Sequence, residues 1–232
     1  MDSPEQKLAD FRARIDALDV QLADLFNLRI GIIREVAALK AAHWPAACHI
    51  RPGREGQMHH AIAKRFANGP FPPLAALAIW RQLIGASTHL ESPLNVVSLA
   101  AHPEHAWLAR EYFGLQVGLH EAHTLADALA PIASKQCNIL ILPEPNASDW
   151  WQSATAIRAA GLSMFASIPV VGSNLPQGTS GAVALAAVTP EDSGDDISYH
   201  VKNGELITRD GFHPNDAGVF LGAHPRAITL GA

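Results

Sequence analysis

Arg29 stands where a helix should keep charge away. In LFNLRIGIIREVAALK, Leu25 to Lys40, it takes a position that the spacing of its apolar neighbours assigns to a buried seam. A buried charge without a partner is expensive, so this arginine needs something to bind. Lys40 follows eleven residues later, about three helical turns with only ~20° of residual rotation and roughly 16 Å of rise. The two cations therefore share a face and can grip a small anion between them. Arg12 precedes Arg29 by seventeen residues, roughly 25 Å along the axis and about 100° round it. A single straight helix cannot bring it to the same small ligand, but a second, paired chain can. Arg54-Glu55 stands at the start of a second helix, where free backbone N–H groups favour anions. Ser87 and Glu91, four apart on a third helix, face the same way. Several cations with few anions suit a dicarboxylate ligand.

These side chains need helices to hold them. Ser3-Pro4-Glu5-Gln6 is a helix start, with Ser3 as cap, Pro4 in the first turn and Gln6 completing a capping box. The next proline is Pro45, so the spacing predicts one unbroken helix from Pro4 almost to Pro45. Leu8, Phe11, Ile15, Leu18, Leu22, Leu25, Ile32, Val36 and Leu39 follow a 3-4 alternation that only Arg29 interrupts. A heptad seam of that length implies pairing between chains. A second helix is predicted from Arg54 to about Asn68 and a third from Leu74 to Glu91, separated by the break Gly69-Pro70-Phe71-Pro72-Pro73. Ser92-Pro93 marks a boundary between a helical domain, 1–92, and a second domain, 93–232. In the second, apolar runs at 95–100, 115–120, 137–144, 163–171 and 182–188 alternate with helical stretches at 104–113, 124–133 and 149–159. That alternation predicts βαβ units and a mainly parallel sheet, so the fold class is α followed by α/β. The tail beyond Pro190 reads as short strands and loops.

Composition bounds the partners. The 232 residues are 48% hydrophobic and 17% charged, as in globular proteins. No apolar run is long enough to span a membrane. Net charge is −5, which argues against nucleic acid. Residues 1–92 carry 11 Lys/Arg against 9 Asp/Glu, whereas the remainder carries 6 against 13, so the cationic excess lies with the first three helices. Cys48 and Cys137 are too few for a disulfide framework, although they could pair, and a reducing cytoplasm is the expected compartment.

The arrangement Arg12-x-x-Ile15-x-x-Leu18-Asp19, Leu25-x-x-x-Arg29, Val36-x-x-x-Lys40, Arg54-Glu55 and Ser87-x-x-x-Glu91 resembles the all-helical class of chorismate mutases. The resemblance implies an intertwined homodimer of three-helix chains whose active sites each borrow one arginine from the partner. It assigns the two carboxylates of chorismate to Arg29 and the partner chain's Arg12, with Arg54 and Ser87 completing that cradle. Lys40 and Glu91 would bond the ether oxygen of the breaking bond, and Glu55 the ring hydroxyl. No cofactor or metal is implied, because the reaction is a unimolecular Claisen rearrangement. Two positions depart from the family pattern. Arg51 stands where many relatives carry aspartate, and Glu91 where bacterial relatives more often have glutamine. An isochorismate pyruvate-lyase on the same scaffold, or a ligand-binding regulatory protein without turnover, are the alternative readings.

Residues 94–175 resemble the first lobe of prephenate dehydratases. The likeness rests on Ala100-Ala101-His102-Pro103-Glu104-His105, Glu111-Tyr112-Phe113-Gly114 and Leu142-Pro143-Glu144-Pro145-Asn146, with Thr208-Arg209-Asp210 beside the family's Thr-Arg-Phe. The glycines of the first motif are mostly gone, so a catalytically silent domain is expected. His102-x-x-His105 and His120-x-x-His123 have helical spacing but no companion cluster, and read as surface or capping histidines. Trp150-Trp151 reads as core.

Overall fold

The structure is a computed structural model, and it describes residues 3–44, 49–172, 175 and 179–230. The chain divides into two compact units, Met1–Ala47 and Cys48–Ala232. The first is a single helix, α1, Pro4–His43. Its capping box forms as the sequence implies. Gln6 N donates to Ser3 Oγ at 3.3 Å, and Ser3 N donates to Gln6 Oε1 at 3.0 Å. Lys40 and His43 occupy the last turn, where cations favour the dipole. None of the residues of α1 is buried. Leu8, Phe11, Ile15, Leu18, Leu22, Leu25, Ile32 and Leu39 are each about half exposed or more, so the apolar seam is open along most of the helix.

The second unit begins with α2, Pro52–Phe66, and α3, Pro73–Glu91, each with proline in its first turn. There follow β1 Asn95–Leu99, α4 Glu104–Phe113, β2 Gly118–Ala122, α5 Leu125–Ala133, β3 Ile139–Pro143 and α6 Ala154–Ala159. Strands β4 Ser163–Ile168, β5 Ala182–Ala186, β6 Asp196–Lys202, β7 Glu205–Asp210 and β8 Val219–Pro225 complete the sheet. The boundaries of α4 coincide with the predicted helix, and those of α5 and β1 to β5 lie within a few residues of prediction.

The sheet runs β2-β1-β3-β5-β4-β8-β6-β7. It is mixed, not mainly parallel as the strand–helix alternation implied. β1 pairs in parallel with β2 and β3, and β4 with β8, but β5 lies antiparallel between β3 and β4, and β8, β6 and β7 pair antiparallel. The reason is a change of connection. Helical crossovers join β1 to β2 and β2 to β3, whereas among the described residues no helix stands between β4 and β5, and β6 turns directly into β7. Hydrophobic runs could not distinguish the two cases, because β3 and β5 are wholly buried on both faces either way.

Alternating residues feed two cores. Val96, Ile139, Ile141 and Ala184 pack with Ile62 of α2, Leu77 of α3 and Leu108 of α4. Val97, Leu140, Leu142, Val183 and Leu185 face the other way, with Ala128 of α5 and Ile157 of α6. Helices α2 and α3 thus cover the same face of the sheet as α4. Gly85 makes that approach possible, since a Cβ there would collide with the carbonyl oxygen of Phe113. Gly222, at φ +138°, lets β8 approach β4 in the same manner, with the Met164 backbone where a Cβ would stand.

Candidate active site

On α1 the predicted cations differ in exposure. Arg12 is exposed, while Arg29 and Lys40 are half-buried. The partly covered positions Arg29, Ile30, Ile33, Val36, Ala37 and Lys40 recur at helical spacing and mark one stripe. Desolvation draws the Arg29 guanidinium below its ordinary pKa.

In the second unit, Arg54 and Glu55 occupy the first turn of α2 but face different surroundings. Arg54 is exposed and lines an open depression with Arg51, Gln57, Glu191, Asp192 and Phe212. Arg51 is ion-paired through Nε to Glu191 Oε1. An aspartate at position 51 would instead set a carboxylate against Glu191. The loop carrying Glu191 and Asp192 also presses on α2: a Cβ at Gly53 would meet Asp192 O at 2.7 Å.

Glu55 is buried. Its Oε2 accepts from Arg81 Nη1 at 2.8 Å, and Arg81 is itself 2% exposed. Arg81 Nε donates to the Tyr112 carbonyl at 3.0 Å, Nη2 donates to the same oxygen, and the guanidinium carbon stands 3.7 Å from the centroid of the Tyr112 ring. Nη1 also donates to His59 Nε2 at 3.1 Å. That bond requires the His59 proton to sit on Nδ1. Burial, then the charge of Arg81, hold His59 well below its usual pKa, and burial pushes the Tyr112 phenol up. Sequence reasoning missed this node. Its signal was present, since Arg81 interrupts the apolar run LAALAIWRQLIGAS as Arg29 interrupts its own.

At the end of α3, Ser87 is buried and its hydroxyl donates to Leu83 O at 2.6 Å. Glu91 lies one turn on, its Oε2 4.0 Å from His49 Nδ1. The structure therefore gathers Glu55 and Arg81 tightly, and sets Ser87 and Glu91 on one stretch of α3.

Elsewhere in the sheet, Pro145 and Asn146 share a cleft with Trp151, Leu206 and Thr208, so two of the dehydratase-like motifs meet. Their charged members are engaged otherwise. Glu144 Oε1 accepts from Ser167 Oγ at 3.0 Å, and Arg209 Nε pairs with Asp216 at 2.9 Å. Trp150 is core, as expected, and donates from Nε1 to Pro143 O at 2.8 Å. The histidines are not all at the surface: His105 is wholly buried. His120 lies in β2 with His123 just past its end, so their spacing is not helical. Cys137 is a buried free thiol, and Cys48 lies outside the described residues.

Residues 11–92 match the family described as chorismate mutase type II. Two curated relatives are similar over more than this segment, and both are described as bifunctional chorismate mutase/prephenate dehydratases. One, from Stutzerimonas stutzeri, is 28% identical over 153 residues, covering 63% of this chain and 41% of its own length. The other, from Aquifex aeolicus (strain VF5), is 26% identical over 146 residues, covering 61% and 40%. The chain thus spans about two fifths of the length of the relatives it matches. A solved structure described as GqqA, a novel type of quorum quenching acylase, covers 57% of this chain at 10% identity and a TM-score of 0.37, too low to bear on the fold.

Proposed function

We propose that this chain is a chorismate mutase, converting chorismate to prephenate, on the premise that residues 11–92 form a chorismate mutase type II domain. One observation carries the reading to chemistry. Arg29 and Lys40 lie on a single partly desolvated stripe of α1, as a binder of a small dianion requires. The rearrangement needs no nucleophile. It needs a chair-like conformer held in place and negative charge on the ether oxygen stabilised as the bond breaks. Arg29, with Arg54, Ser87 and Arg12 of a second copy, takes the carboxylates. Lys40 and the carboxyl of Glu91 serve the ether oxygen, and Glu55, held by Arg81, meets the ring hydroxyl. Loss of one ether-oxygen donor costs on the order of 3–4 kcal/mol of transition-state stabilisation.

The working unit in this proposal is a homodimer. Its support is the open seam of α1: a helix with eight apolar seam residues exposed is stable in water only when something covers them. The functional boundary is kept at 92/93, with α2 and α3 braced by the sheet, and the buried free thiol of Cys137 fits a reducing cytoplasm. The C-terminal part is a dehydratase-like lobe without its own turnover, because Glu144 and Arg209 are spent on Ser167 and Asp216.

The deciding experiment is a prephenate-formation assay on the wild type and on Arg29→Ala. Turnover by the wild type and its loss in the variant support the reading. Pyruvate release from isochorismate in place of prephenate formation would move the chain to lyase chemistry, and ligand binding without turnover would make it a regulatory protein.

A further inference from the structure

The turn between β1 and α4 lies at a place where open sheets bind ligands. β1 stands between β2 and β3, and the crossovers on either side use opposite faces, α4 with one core and α5 with the other. Such a switch point leaves a crevice at the carboxyl ends of the strands. The turn that lines it is Ala100-Ala101-His102-Pro103-Glu104-His105, fixed by His102 N donating to Leu99 O at 2.9 Å and Ala100 N to Ala122 O at 2.8 Å.

His105 is 0% exposed, and neither of its ring nitrogens has a hydrogen-bond partner among the described residues. Leaving buried polar atoms unpaired forfeits their hydration with nothing in return. A fold that places an imidazole so deep implies a partner of another kind. Its neighbours are of one chemical type. His102 stacks on it with ring centroids 4.9 Å apart, and His102 Nδ1 stands 3.4 Å from Glu104 Oε1. One ligand atom from each of the three residues falls within 4.8 Å of the others.

The geometry points to a site for a divalent first-row transition metal, zinc above all, bound by His102, Glu104 and His105. Imidazoles with a carboxylate are ligands that zinc favours, and three protein ligands leave a fourth position for water or a small anion in the crevice. Bonds of about 2.0–2.1 Å in a tetrahedron place ligand atoms about 3.3 Å apart. The His102–Glu104 pair already has close to that spacing. The rest closes by turning the His102 ring out of its stack, which its partial exposure allows. The site is independent of the helical chemistry.

The test uses the full chain freed of metal with a chelator and then titrated with Zn2+ by calorimetry and with Co2+ by absorption spectroscopy. One ion per chain is expected, with a Co2+ ligand-field band. His102→Ala and Glu104→Gln, both at partly exposed positions and so tolerant of change, should weaken binding tenfold or more and alter that band, whereas His120→Ala should not. No stoichiometric binding by the wild type, or binding unchanged in both His102→Ala and Glu104→Gln, would overturn the site.

Discussion

Arg81 joins three helices through one guanidinium: Nη1 reaches Glu55 Oε2 on α2 at 2.8 Å, while Nε reaches the carbonyl of Tyr112 on α4 at 3.0 Å. Glu55, proposed above to meet substrate, is thereby held from α3. The remaining Nη1 proton is taken by His59, so the Nη1 donors are fully used.

Removing this cation should leave Glu55 as a buried charge without its partner. Arg81→Met is expected to lower unfolding stability by about 3–5 kcal/mol, measured by urea denaturation. Arg81→Met combined with Glu55→Gln should recover part of that loss, because the stranded charge is gone. Additive losses would mean that the pair is not coupled.

The open seam on α1 gives a prediction about association. The wild type should sediment as a dimer at micromolar concentration. Leu18→Glu with Leu22→Glu places two charges in the seam about two turns or more from Arg29 and Lys40, and should yield monomers with reduced helical content by circular dichroism. An unchanged sedimentation coefficient would separate the seam from dimerisation.

How much of this was legible in advance depended on whether the cause was local. The cap at Ser3, the length of α1 and the limits of α4 follow from side chains a few positions apart, and the sequence spacing predicts them. The antiparallel insertion of β5 does not follow, since a buried strand reads the same in either direction. Arg29 stood out in the sequence because a charge broke an apolar period. Arg81 bore the same mark, but its meaning lies with Tyr112, 31 residues away. The pairing of Arg51 with Glu191 spans 140 positions and leaves no periodic trace. His105 illustrates the converse: its spacing to His102 was visible, but its burial comes from the sheet.

In the proposed mutase chemistry, Glu91 gives turnover a direction with pH. A carboxyl donates to an ether oxygen only when protonated, so turnover that uses this donor should fall as pH rises. An ionisable neighbour in the same unit is His49, whose Nδ1 lies 4.0 Å from Oε2. Glu91→Gln donates at every pH and should flatten that limb of the kcat/KM profile. Profiles of identical shape would remove Glu91 from the proton inventory.

His224 contributes to how the second unit meets acid, as does His105, whose pKa burial also holds down to about 4. Buried on β8, its Nδ1–H donates to Pro225 O at 2.9 Å while Nε2 faces the Tyr199 hydroxyl at 3.3 Å. That arrangement suits the neutral ring. Burial chiefly, with the charge of Arg226, holds its pKa down to about 4. The unfolded chain, with an ordinary histidine near 6.5, then binds the proton more readily, so stability rises with pH between about 4 and 6.5 and is lost on acidification through that window. His59 is shifted in the same direction. Glu144, raised by burial, acts oppositely, since the folded state binds its proton more readily than the unfolded one. For His224 alone the loss from pH 7 to pH 5 is about 2 kcal/mol. His224→Gln keeps a donor and an acceptor without titrating. Its urea midpoint should therefore fall less between those pH values than the wild type's, and an equal fall in both would show that His224 does not set the acid limit.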